Sequence, residues 1–234
     1  MPRNKVDVTS TCADAWRLGA RRLERWSIPG ASLTATVAIH EWNFDAAAAV
    51  LATASRMEVL VRQAVSDALT ELGHKRGNEH WSSSLPFEAN ERRTLSWAQR
   101  HVSHAGDGGS AHLIEEYLPL GFWLQLVSNR YHTRLWVPGL SNAFPNLAGY
   151  AASRRESLHE HLKQALRLRN LAAHLHPLHS FEAREILSPF QLVAAAIDPR
   201  AAAWLSRSSR VDAVWGWRPR GPLHEVPEQS DGAG

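Results

Sequence analysis

Leu166 to Ser180 reads LRLRNLAAHLHPLHS, the end of a run of strong helix formers that begins near Arg155. Leu158, Leu162, Ala165, Arg169 and Ala172 follow one another at spacings of 4, 3, 4 and 3, which is one helical face. That register predicts a helix over Arg155–Ala173 with Arg169 on its buried stripe, where a bare guanidinium is unusual. At about 100° per residue, Asn170 and His174 share a side of the helix, and Arg169 and His176 lie about 20° apart. Pro177 pushes His176 away from helical geometry, so the helix should end around His174 to His176. A cation, an amide and one or two imidazoles therefore gather at a helix C-terminus. Read from spacing alone, Arg169 either snorkels or pairs with a carboxylate while the histidines favour the negative end of the helix, or these groups form a site.

Composition narrows the classes. The 234 residues are 44% hydrophobic, enough for one sizeable core. Twenty-six Lys and Arg stand against 23 acids, a formal charge of +3, so any surface for a polyanion must be local or built from two copies. Cys12 is the single cysteine, which excludes an intrachain disulfide framework and a thiolate metal cluster. Apolar runs stay short of the roughly 18 residues that mark a membrane span, and the N-terminus lacks an apolar signal core. A soluble cytoplasmic protein without membrane contact is the expectation. The ten tryptophans should serve mostly as core or interface anchors.

Along the chain, Thr9 to Trp26 reads as a helix with Trp16, Ala20, Leu23 and Trp26 on one side, broken at Ile28-Pro29-Gly30. Ser32 to Glu41 suits helix or strand. Asn43 is placed to cap a long helix from Phe44 to Leu72 that ends at Gly73. Glu58 and Arg62 on that helix are one turn apart, an i,i+4 pair whose plain reading is a surface ion pair. His74 to Gly109 is polar, with one short helix expected over Asn90–Val102. His101 and His104 there have His-x-x-His spacing but no cysteine or well-spaced carboxylate partner, so no metal site is expected. Order resumes with a helix around His112–Tyr117 and the segment LPLGFWLQLVSNRY. Ile186 to Ile197 reads as a helix entered at Ser188-Pro189, and Asp198-Pro199 starts another over Arg200–Ser206. The fold class is all-α: a helical bundle around a core hairpin, with irregular insertions, over 1–218, followed by a disordered Pro- and Gly-rich tail over 219–234.

R-N-x-x-x-H on a late helix resembles the signature of the HEPN superfamily of nucleases, and its Abi-like (abortive infection) branch in particular. Members of that branch read close to RNRIAHHEP; this chain reads RNLAAHLHP. It keeps Arg169, Asn170, His174 and Pro177 and lacks the second adjacent His and the Glu. HEWNFDAAAAVLATASRMEVLVRQAVSDAL resembles the family's first long helix, and LPLGFWLQLVSNRYHTRLWVPGLSNAFPN its Gly-Phe-Trp, Leu-Trp and Phe-Pro run. The resemblance implies a metal-independent, cofactor-free endoribonuclease, a toxin or anti-phage effector that cleaves RNA by attack of the 2′-hydroxyl. It implies Arg169, Asn170 and His174 as the catalytic set, with His176, Glu58 and Arg62 in support. It further implies a homodimer whose facing motif helices make a composite cleft, and an unidentified antitoxin as a further partner. The other class is a catalytically silent HEPN module that binds RNA or a protein through the same groove.

Overall fold

The computed structural model describes residues 23–78, 80–104, 111–147 and 151–219. The helix expected over Thr9–Trp26 falls outside these residues apart from its end, where Glu24–Trp26 forms a 3-10 turn; most of the expected tail, and Cys12, also fall outside. The described residues are all-α, with no strand among them. Eight α-helices follow in order: α1 Leu33–His74, α2 Trp81–Ser84, α3 Ala89–His104, α4 Leu120–Leu126, α5 Ala151–Ala173, α6 Ala183–Ile197, α7 Pro199–Ser208 and α8 Val211–Gly216.

The spine is α1, 42 residues and so about 60 Å long. Ser32 caps it, its hydroxyl accepting from the Ala35 N–H at 3.2 Å. This corrects the expected start at Phe44: the chain is helical from Leu33, and Asn43 lies about a quarter of the way along, buried. Trp42, Ala46, Val50, Met57, Val61, Val65, Leu69 and Leu72 form its core stripe, and the rest of the chain packs along them. α1 lies against α5, α6, α8 and the 3-10 segment Leu140–Ala143. At its far end the helix runs through Gly73 to His74 rather than stopping at the glycine. A Cβ at Gly73 would sit 3.5 Å from the Trp81 backbone, an ordinary contact, so neither packing nor backbone angle demands glycine there. The left-handed position is Gly77, at φ 76°.

α5 buries Leu158, Leu162, Ala165, Leu168 and Ala172. The cation on this stripe is Arg155, which donates to the Val127 carbonyl at 3.1 Å and to Asn129 Oδ1 at 3.1 Å. Arg169 is exposed, contrary to the sequence register. Leu168, three residues after Ala165, takes the inward position that a spacing of four would have given to Arg169.

The polar stretch after α1 holds more order than expected. Trp81 of α2 donates to Glu115 Oε1 at 3.2 Å, and α3 packs on the 3-10 segment Ala111–Tyr117. Tyr131 is buried, donating to Glu91 Oε2 at 2.8 Å and accepting from the Glu88 N–H at 2.8 Å; burial pushes its phenol up to about 12. α6 begins at Ala183 with a capping box between Glu182 and Glu185, and Pro189 lies inside it rather than at its entry. The last helix, α8, was not legible as a separate element. Trp215 from it meets Trp42 edge-to-face at 5.0 Å and donates to the Phe181 carbonyl at 2.8 Å. No described helix is long and apolar enough to cross a membrane.

Candidate functional site

The end of α5 is a Schellman turn. The His176 N–H bonds to the Leu171 carbonyl at 2.8 Å and the Leu175 N–H to that of Ala172 at 3.0 Å, the paired closure that satisfies the last helical carbonyls. It requires a left-handed residue, usually glycine, and Leu175 occupies that place at φ 51°. An L side chain there costs roughly 1–2 kcal/mol. The strained link lies between His174 and His176 and turns their rings to 84° across a centroid separation of 6.4 Å.

What holds the chain after this turn is Asn43 of α1. Its Nδ2 donates to the His176 carbonyl at 3.2 Å, and its Oδ1 accepts from the Leu178 N–H at 2.8 Å. Pro177, between them, has no N–H to satisfy, so one buried amide accounts for the polar groups on both sides of it. His176 Nδ1 lies 3.2 Å from Arg25 Nη2. A guanidinium only donates, so in this contact Nδ1 is the acceptor and Nε2 is the ring nitrogen left to donate. One turn later His179 is partly buried, which lowers its pKa, with the Arg218 charge adding to the effect. Arg218 donates to the His179 and Phe181 carbonyls at 3.0 and 2.8 Å.

Lys163, Arg167, Asn170, His174 and His176, with Leu166 and Leu171, line an open groove of about 360 Å³ along α5. The structure thus brings together three of the residues singled out in the sequence: Asn170, His174 and His176. Arg169 stands beside the groove, its Nη1 donating to Asn170 Oδ1 at 3.3 Å, and it has no acidic partner among the described residues. Lys163 and Arg167 were overlooked. Their signal is the spacing of 4, 3 and 4 through Lys163, Arg167, Asn170 and His174, one helical face by the rule that placed the apolar stripe.

α1 and α5 are packed neighbours, but Glu58 and Arg62 do not line this groove. They pair with each other at 3.8 Å, and no hydrogen bond or ion pair among the described residues joins either to a motif side chain. Glu58 faces a different groove, with residues of α3. Among the described residues no group of three or more His, Cys, Asp or Glu is placed to hold a metal. Compared with known proteins, the chain matches no family model, no curated protein and no solved structure.

Proposed function

We propose that the protein is a metal-independent endoribonuclease of the Abi-like HEPN type, acting in the cytoplasm as a toxin or anti-phage effector. The observation that carries this reading is the α5 groove, where two imidazoles converge with an amide and two cations. Imidazole titrates near neutrality and moves protons at pH 7. Lys163, Arg167 and the neighbouring Arg169 supply fixed positive charge for a scissile phosphate and for the charge that grows on it. In the proposed step His174 takes the proton of a ribose 2′-hydroxyl as that oxygen bonds to the adjacent phosphorus. The bond from phosphorus to the 5′-oxygen breaks, and that oxygen receives a proton from the partner subunit's His174 across a dimer cleft. Asn170 orients His174 or the hydroxyl, and His176, whose Nδ1 faces Arg25, presents its Nε2–H to a phosphate oxygen. The exposed, acid-free Arg169 suits a role at the seam between two copies.

One observation favours the silent module instead: Arg169 lies outside the groove of the single chain. Incubating the purified protein with total RNA in EDTA, beside Arg169→Ala, decides between them. The nuclease reading expects fragments ending in 2′,3′-cyclic phosphate from the wild type and few from the variant. Intact RNA that nonetheless comigrates with the protein supports the binding module.

A further inference from the structure

A second groove, about 790 Å³ in volume, opens between α1, α3 and the 3-10 segment Ala111–Tyr117. α3 puts its apolar residues Leu95, Ala98 and Val102 into the core. Its other face carries Asn90, Arg93, Thr94, Trp97 and Arg100 into the groove, with Glu58, Glu116 and Tyr117 opposite. Trp97 is 42% exposed, one of three exposed tryptophans with Trp204 and Trp217, whereas the other six described ones are buried; of the three, Trp97 lines a groove. Its indole is held in place: the His101 ring lies 4.0 Å away at 39°, and His101 Nδ1 contacts the Trp97 carbonyl at 2.9 Å. Tyr117 continues the aromatic row 6.0 Å beyond His101.

We infer that this groove binds an unpaired nucleotide. A fixed, exposed indole offers the face on which a nucleobase stacks, and stacking is indifferent to sequence because every base has such a face. Arg93, one turn before Trp97 and exposed, has no carboxylate partner among the described residues and sits where a phosphate attached to a stacked base can reach it. Asn90, Thr94 and Glu116 supply hydrogen-bond groups for the edge of the base or for the ribose. The volume falls within the roughly 300–1,000 Å³ of small-ligand sites. The base and phosphate come either from a single strand of RNA or from a free nucleotide; both share this chemistry. Binding here stands independently of cleavage at α5, since no residue of this groove belongs to the α5 groove.

The test uses the full chain and RNA that cannot be cut. Fluorescence anisotropy of a labelled 2′-O-methyl oligoadenylate of about ten residues is measured against wild type, Trp97→Ala, Trp97→Phe and Arg93→Ala, because 2′-O-methylation removes the attacking hydroxyl. Trp97→Ala should weaken binding about 5- to 150-fold, the loss of one stacked base, and Trp97→Phe should recover most of it. Arg93→Ala should reduce the slope of log affinity against log salt by about 0.7, one phosphate contact on a single strand. AMP that displaces the oligomer through Trp97 at millimolar concentration identifies a nucleotide pocket; an oligomer that binds without displacement by AMP identifies a strand site. Trp97 is exposed, so circular dichroism should show its variants folded. The inference is overturned if folded Trp97→Ala binds within twofold of wild type, or if an abasic oligomer of equal length binds as tightly as oligoadenylate.

Discussion

Replacing Asn43 by leucine removes the clamp behind the motif while nearly preserving volume. Asn43 is 2% exposed and Leu178 fully buried, so the Leu178 N–H, now bonded at 2.8 Å, has no water to turn to. A buried donor left alone costs about 1–3 kcal/mol, and the second bond, to the His176 carbonyl, contributes about 1 kcal/mol. The sum is about 2–4 kcal/mol, or roughly 4–16 °C in Tm for a chain of this size. Urea denaturation followed by tryptophan fluorescence reads the total, and amide hydrogen exchange at Leu178 reads the local part. Exchange at that amide should accelerate more than at core amides of α1, since the bond lost is local. A loss under about 0.5 kcal/mol, with Leu178 still protected, would refute the assignment of Asn43 as the residue that fixes the chain around Pro177.

Leu175→Gly relieves the left-handed strain at the end of α5 and should stabilise the fold by about 0.5–1 kcal/mol, after the greater chain entropy of glycine is subtracted; a lower urea midpoint would contradict the turn geometry. His159, His161 and His179 all have pKa values lowered by burial, with the Arg155 and Arg218 charges adding to the effect at His159 and His179 respectively. The unfolded chain therefore takes up protons near pH 6.5 that the folded one refuses. Stability should be full above that pH and decline as pH falls from 7.5 to 5.5, and His179→Asn should flatten the decline. A Tm that rises on acidification over that range would reverse the assigned sign.

α5, α6 and the core of α1 were legible because each buries an apolar stripe, whereas α7 buries only Leu205 and was marked by its Asp198-Pro199 start. The site was harder, for reasons that specific residues show. After Ala165 the next inward position is three or four residues on, and spacing alone does not choose between Leu168 and Arg169; side-chain solvation does, sending leucine in and the guanidinium out. Asn43 has the residue type of a helix cap, yet its partners lie 133 and 135 residues away, a distance over which no local rule reaches. Pro189 marked a helix start in the sequence. In the fold the buried side chains of Ile186, Leu187 and Phe190 outweigh the backbone bond that the proline gives up. Trp97 fell on the helix expected over Asn90–Val102, and only the packing of α3 distinguished it from the core tryptophans.

The most direct measurement is single-turnover cleavage of an end-labelled RNA in EDTA by wild type and His174→Ala, with affinity for the uncut strand measured alongside. The nuclease account predicts cleavage by the wild type without added metal. It also predicts a rate about 10²–10⁴-fold lower in His174→Ala, the usual loss for a missing general acid or base, at nearly unchanged affinity. Cleavage by His174→Ala at the wild-type rate, or wild-type activity that vanishes in EDTA and returns with divalent ions, would contradict it.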